Sequence, residues 1–349
     1  MMLMRASALI LCVITLMTML ISCSKDPYPY ELSDYITVPE DISNIEVSDE
    51  KIASEVARRI GEALANSATE VAVVDRGAVT GDTVQLGLAC YYLDSYADDR
   101  ASGKRIEAIS DPDCIIKIGS SRHPEKLQEA LIGKEAGDVF VVQTVLPDSF
   151  KVDNLAGKSV VYECAVTAVR TTVLPEYGDA FAMSASGLAT VAEYEAMLKK
   201  TVREELIFDK LLSLSEIEVY PVDEVNQYSG NFISYYTDLA TAAEMTLEEY
   251  VAKKFFIELN DFHLQADAYA KESVAKDLLM YYLIRTYDLE ITDAEYTEGA
   301  RRYAERYGLA SVSALESKFG KDFILKTVSM DKVLLYLASQ VDAAKAPAV

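Results

Sequence analysis

Two histidines and five cysteines are the residues of this 349-residue chain best suited to chemistry, and their spacing allows little of it. His123 and His263 stand far apart, and no HExxH, CxxC or glycine-rich nucleotide loop occurs. No cofactor is expected, and neither metal nor nucleotide chemistry. His123, beside Pro124, reads as an exposed loop residue rather than an acid or base, and His263 as a surface or boundary residue on a helix. Acid pairs such as Asp98-Asp99 and Glu248-Glu249 read as solvated faces. Cys90, Cys114 and Cys164 lie in apolar, strand-like runs without framework spacing, and are expected to be buried free thiols rather than a disulfide. Cys23 is different. It follows Leu20-Ile21-Ser22 at the end of an apolar run, where a thiolate would be a nucleophile at a membrane surface.

Arg5 and the apolar stretch at residues 6–20 precede that cysteine, and the stretch is too short to span a bilayer comfortably. With Leu20-Ile21-Ser22-Cys23 it resembles a bacterial lipoprotein signal. The resemblance implies loss of residues 1–22 and a diacylglyceryl group on Cys23. The mature chain would be exported and lipid-anchored to a membrane, facing outside the cytoplasm. Two acyl chains suffice for stable attachment, each buried methylene contributing about 0.8 kcal/mol.

Half of the residues are apolar, and the length allows two or three domains with cores of their own. A formal net charge of −23, with no basic patch, excludes nucleic acid as a partner.

The elements follow from periodicity. Residues 23–47 read as a tether and extended arm, and Ser48 opens a helix with Ile52, Val56, Ile60 and Leu64 four apart. From Val71 the period becomes two: Val84, Leu86, Leu88 and Cys90 alternate, as do Val160, Tyr162, Cys164 and Val166. With strands at Cys114–Ile118 and Val139–Val145 and one short helix near Glu125–Leu131, this predicts a small antiparallel sheet with a helix across it. Beyond Pro175 the chain reads as almost entirely helical, with five or six helices between about 190 and 345. Thr190, Thr246, Thr292 and Ser313 each stand three residues before a glutamate, the pattern of a reciprocal helix cap. Pro221 suits a first helical turn, and Gly308 and Gly320 suit helix ends. The fold class expected is α+β.

Several blocks occur together and in order: "DRGAVTGDTVQLGL", "IKIGSS", "ALIGKEAGDVFVVQTVLPDSFKVDNLAGKSVVYECAVTAV" and "LEITDAEYTEGARRYAERYG". They resemble trigger factor, the bacterial folding chaperone, over nearly all the chain except that family's ribosome-docking part. The resemblance implies an FKBP-like half-barrel at 67–172, with the helix at 48–66 packing on a helical chaperone domain with arms at 173–349. A ribosome would not be the partner of an exported chain.

By the family's pattern the proline-binding bowl would be Leu88, Cys114, Leu127, Phe150 and Tyr162, joined by Tyr96. Aromatic residues are usual at the first three, and only Phe150 and Tyr162 keep that character among the five. Pro124 stands where such a domain offers a backbone amide, and proline has none. Isomerase activity is therefore expected to be weak or absent.

Tyr235, Tyr236, Phe262, Tyr269, Tyr281 and Tyr282 supply large, wettable apolar area suited to holding unfolded chains without ATP. Helix packing is the plainer role expected of most of these tyrosines, since a helical arm must bury one stripe before it offers another. The partners expected are unfolded, newly exported polypeptides and, through the anchor, a membrane, with the oligomeric state open. The rival readings are an active FKBP-type isomerase and a surface scaffold with an inert FKBP-like domain.

Overall fold

Of the tyrosines at 28, 30 and 35, Tyr28 is core and Tyr30 and Tyr35 pack half-buried against it. In the computed structural model, which describes residues 28–345 apart from Ser121, Arg122, Ser149, Lys151, Asp153 and Phe256, Tyr28, Leu32, Ile36, Val38, Ile42 and Ile45 are buried. The apolar stretch at residues 6–20 and Cys23, on which the expected lipoprotein signal rests, lie outside the described residues. The chain separates into two units. One comprises Gly61–Tyr177 with Glu248–Leu259; the other holds the residues up to Ile60, Gly178–Leu247 and Asn260 onward.

Strand β1 (Ile36–Thr37) pairs antiparallel with the two-residue β7 (Glu216–Ile217), which ties the N-terminal arm to the helical unit. Helix α1 (Asp49–Asn66) starts where expected: the Ser48 hydroxyl accepts from the Lys51 amide, with Asp49 and Glu50 at the positive helix end.

The sheet consists of β2 (Thr69–Ala72), β3 (Thr83–Tyr92), β4 (Asp111–Lys117), β5 (Val139–Val145) and β6 (Ser159–Val173), all antiparallel. Its order is β2-β6-β3-β4, with β5 also on β6. The period-two residues fall on one face as expected, and Val84, Leu86, Leu88, Cys90, Val160, Tyr162, Cys164 and Val166 are all buried. Helix α3 (Glu125–Leu131) covers that face with Leu127 and Leu131. A second short helix, α2 (Tyr96–Ala101), interrupts the β3–β4 connection.

Two backbones touch below the sheet. The Ala78 amide donates to the Lys134 carbonyl at 2.8 Å and the Gly133 amide to the Ala78 carbonyl at 2.7 Å. A Cβ on Gly77 would lie 2.4 Å from the Gly133 oxygen, and Gly133 itself turns at φ +78°. These contacts are the physical content of the Arg-Gly-Ala and Leu-Ile-Gly-Lys blocks.

The helical unit contains α4 (Asp179–Ser186), α5 (Val191–Leu214), α6 (Val222–Ala242), the start of α7 (Leu247–Phe255), α8 (Leu259–Thr286), α9 (Asp293–Arg306), α10 (Val312–Phe319) and α11 (Lys321–Lys345). Among the described residues seven helices follow residue 190, not five or six. Gly320, at φ +81°, ends α10 as its position suggested, and α7 is a separate short helix. Reciprocal caps form at Thr190–Glu193 and Thr292–Glu295. The cap of α10 is Ser311, two residues earlier than the expected Ser313, and its hydroxyl accepts from the Ala314 amide. Pro221 stands at the cap position just before α6 rather than within its first turn.

Candidate functional site

Cross-strand pairing brings the expected bowl residues together. Leu88 faces Cys164 and Cys90 faces Tyr162 across β3 and β6, while Leu86 faces Cys114 on β4. Leu88, Cys114, Leu127 and Tyr162 share one core cluster, with half-buried Phe150 packed against it. The bowl is filled rather than open: Leu88 and Cys114 are 5% exposed, Tyr162 3% and Leu127 0%. Leucine and cysteine, narrower than aromatic rings, have been packed into a core.

Tyr96 is not part of this cluster and is corrected. Its hydroxyl donates to Glu163 Oε1 at 2.6 Å, and its ring lies edge-on to Tyr91 at 5.6 Å. Glu163 and Tyr91 alternate out of phase with Tyr162 and Cys90, so Tyr96 sits on the opposite face of the sheet. Helix α2 carries it there.

The three thiols are free and buried, and burial pushes each up to about 12. They are protonated at neutral pH and poor nucleophiles. Burial, with the Cys90 thiol nearby, raises the Tyr162 phenol far above its usual range.

Pro124 caps α3 at φ −52°, and its carbonyl accepts from the Leu127 and Gln128 amides at 3.0 and 3.2 Å. The residue that shapes this loop is Gln128, which sequence reasoning missed. Its side-chain amide donates to the Ser120 and His123 carbonyls at 2.6 and 2.7 Å, and its oxygen accepts from the Gly119 amide at 2.7 Å. The available signal was a polar residue three before Leu131, on the buried stripe of α3. His123 contributes a carbonyl to this staple, and His263 is exposed beside Phe262.

The segment Glu248–Leu259 belongs to the sheet unit. Lys253 Nζ lies 3.6 Å from Asp111 Oδ2 on β4, close enough to Cys114 that its charge opposes the upward pull of Asp111 on that thiol.

In the helical unit the expected client contacts are largely spent on internal packing. Phe232 stacks on Tyr236, Phe262 and Tyr269 at 5.0, 5.4 and 5.2 Å, and Tyr235 meets Tyr236 at 5.1 Å. Tyr236 and Phe262 are buried, and as client contacts they are corrected: the antiparallel α6 and α8 close on each other through these rings. Tyr235, Tyr269, Tyr281 and Tyr282 are half-buried, and Tyr281 packs on Tyr28 at 5.1 Å.

A buried carboxylate, also missed, organises this core. Asp277 accepts from the Tyr28 and Tyr228 hydroxyls at 3.3 and 2.6 Å and from Lys326 Nζ at 2.6 Å. Arg285 donates to the carbonyls of Tyr28 and Tyr30, so the N-terminal arm is pinned along α8.

Open clefts occur away from these clusters among the described residues. One of about 590 Å³ in the helical unit is lined by Val47, Lys51, Leu206, Asp209 and Lys210, and one of about 750 Å³ in the sheet unit by Tyr92, Leu93, Asn154 and Lys158. Neither is lined by a bowl residue or by the aromatic stack. Among the described residues no group of three or more His, Cys, Asp or Glu is placed to hold a metal, and no helix is long and apolar enough to cross a membrane.

Residues 189–338 match the family model of the bacterial trigger factor protein C-terminus. Trigger factor of Agathobacter rectalis is 22% identical over 289 residues, covering 80% of this chain and 62% of the relative. That of Finegoldia magna is 27% identical over 315 residues, covering 84% and 65%. The chain thus spans just under two thirds of the length of these relatives. A solved structure of the trigger factor chaperone, described for promiscuous substrate recognition in folding and assembly, aligns over 87% of this chain and 73% of its own at 19% identity and a TM-score of 0.33.

Proposed function

Residues 189–338 form a bacterial trigger factor C-terminal domain in a chain homologous to trigger factor, and on that premise we propose that this protein is a membrane-tethered folding factor outside the cytoplasm. It binds unfolded, translocated polypeptides without ATP, and its half-barrel has little or no prolyl isomerase activity. The relationship to trigger factor carries the holding activity.

The low isomerase activity is supported by the filled bowl. Imide rotation has a barrier of about 18–20 kcal/mol, and the bowl would have to take up and desolvate the proline to lower it. Leu88, Cys114, Leu127 and Tyr162 leave little surface for that. Pro124 offers no amide at the mouth of α3.

The location is supported by the sequence alone, through Arg5, the short apolar stretch and Leu20-Ile21-Ser22-Cys23. Metabolic labelling with a fatty acid should mark the wild-type chain, and Cys23→Ala should abolish the label and release the protein from the membrane fraction. An unlabelled wild type would refute the tether.

Purified protein should suppress aggregation of several denatured clients at near-stoichiometric ratio. In a protease-coupled prolyl-peptide assay it should leave the rate at the uncatalysed background. No suppression of any client would refute the holding activity, and a clear catalysed rate would establish the rival isomerase reading.

A further inference from the structure

Strand β5 reads Val-Phe-Val-Val-Gln-Thr-Val, with no charge, proline or glycine, and among the described residues it pairs with β6 alone. At one end of this ladder the Val166 amide donates to the Asp138 carbonyl at 2.8 Å, and at the other the Leu146 amide donates to the Lys158 carbonyl at 2.9 Å. The register between them is constant, from Val139 opposite Ala165 to Val145 opposite Ser159. Alternation then directs the amides and carbonyls of Phe140, Val142 and Thr144 to β6, and those of Val139, Val141, Gln143 and Val145 to the open side. The same alternation splits the side chains. Val142 and Thr144 are buried, while Val139 is 78%, Val141 52% and Val145 58% exposed.

Soluble proteins guard such edges with charges, proline or short strands. The far edge of this sheet is guarded in that way. There β4 carries Asp111, Pro112, Asp113 and Lys117, and Lys253 reaches Asp111. β2 is four residues long and includes Glu70. β5 alone of the three is long, flat in charge and apolar.

We propose that the open edge of β5 binds an extended neutral or basic segment of an unfolded polypeptide, which adds to the sheet as a further strand. This rests on the reading that the chain holds unfolded polypeptides, and it names the place and mode. Main-chain bonds to alternate residues are indifferent to sequence, and the valines select β-branched or aromatic side chains at every second position. Charge selects the occupant. A second copy would bring another −23 to a strand with no charge to offset it, whereas a client segment lacking acids meets no such repulsion.

The test uses the full chain in detergent and a ten-residue peptide of alternating valine and threonine ending in lysine. Binding should slow amide exchange within Val139–Val145. N-methylation of alternate peptide residues, which leaves the protein untouched, should weaken binding by about tenfold or more, the equivalent of one or two hydrogen bonds. Val141→Lys, at a solvent-facing position, should weaken it to a similar degree. Equal binding of the methylated peptide, or protection only elsewhere, would overturn the proposal. So would a concentration-dependent dimer that Val141→Lys dissociates, which would make the edge a self-association surface. If the edge takes no peptide while aggregation of clients is still suppressed, this site fails and the holding activity stands; loss of suppression altogether would refute both.

Discussion

Asp277 is held in the helical core by two phenols and an ammonium group. Lys326→Met would leave the carboxylate buried without its counter-charge and is predicted to cost about 3–5 kcal/mol in urea unfolding, against about 1–2 kcal/mol for Tyr28→Phe, which removes one bond to a charged acceptor. Asp82 tests a second buried carboxylate. Arg76 donates to both its oxygens at 2.5 and 3.1 Å and the Val79 amide to one at 2.9 Å, and the guanidinium holds the carboxyl near 2, below its ordinary value of 3.8. The folded carboxyl binds its proton less readily than the unfolded one. Its contribution of about 1–2 kcal/mol is therefore complete above pH 4 and lost as pH falls towards 2. The stability difference between wild type and Asp82→Asn should shrink over that range. Neither role was legible from composition, because Asp277 reads as one of several acids in a mixed helix and Asp82 as a turn residue. Only tertiary neighbours 49 and 249 residues away, Lys326, Tyr228 and Tyr28, distinguish Asp277.

Among the elements, the period-two strands with their buried face and two capped helices were legible, while the faces taken by Tyr96 and by the aromatic helix stripe were not. Val84 to Cys90 and Val160 to Val166 announce both strand and buried face, because period two is a local property. Thr190 and Thr292 announce their helices for the same reason. Tyr96 could not be placed, since α2 turns it to the outer face through a bond to Glu163, distant in sequence. The aromatic stripe of α6 and α8 was ambiguous in kind: tyrosine serves a cradle and a helix seam alike, and Phe232 decided for the seam. Phe262→Ala is accordingly predicted to lower stability by about 3–5 kcal/mol. Its client affinity, measured below its unfolding midpoint, should stay within about twofold. At the contact of α9 with α11, a Cβ on Gly299 would lie 2.6 Å from Val328, so Gly299→Ala should destabilise by about 1–3 kcal/mol, and Val328→Ala should restore part of the loss.

The whole molecule combines a formal charge of −23 with an uncharged apolar strand and scattered exposed side chains such as Val222 and Leu264. On the proposed function, such a surface would repel copies of itself while offering apolar area to a chain that has not packed. The central claim is that this protein recognises the unfolded state itself. The direct test is fluorescence anisotropy of one labelled client, first in a permanently unfolded form and then folded, titrated with the full chain. The account predicts saturable binding of the unfolded form and at least about tenfold weaker binding of the folded one, equivalent to 1.4 kcal/mol of discrimination. Equal affinity for both forms, or binding of neither, would contradict it.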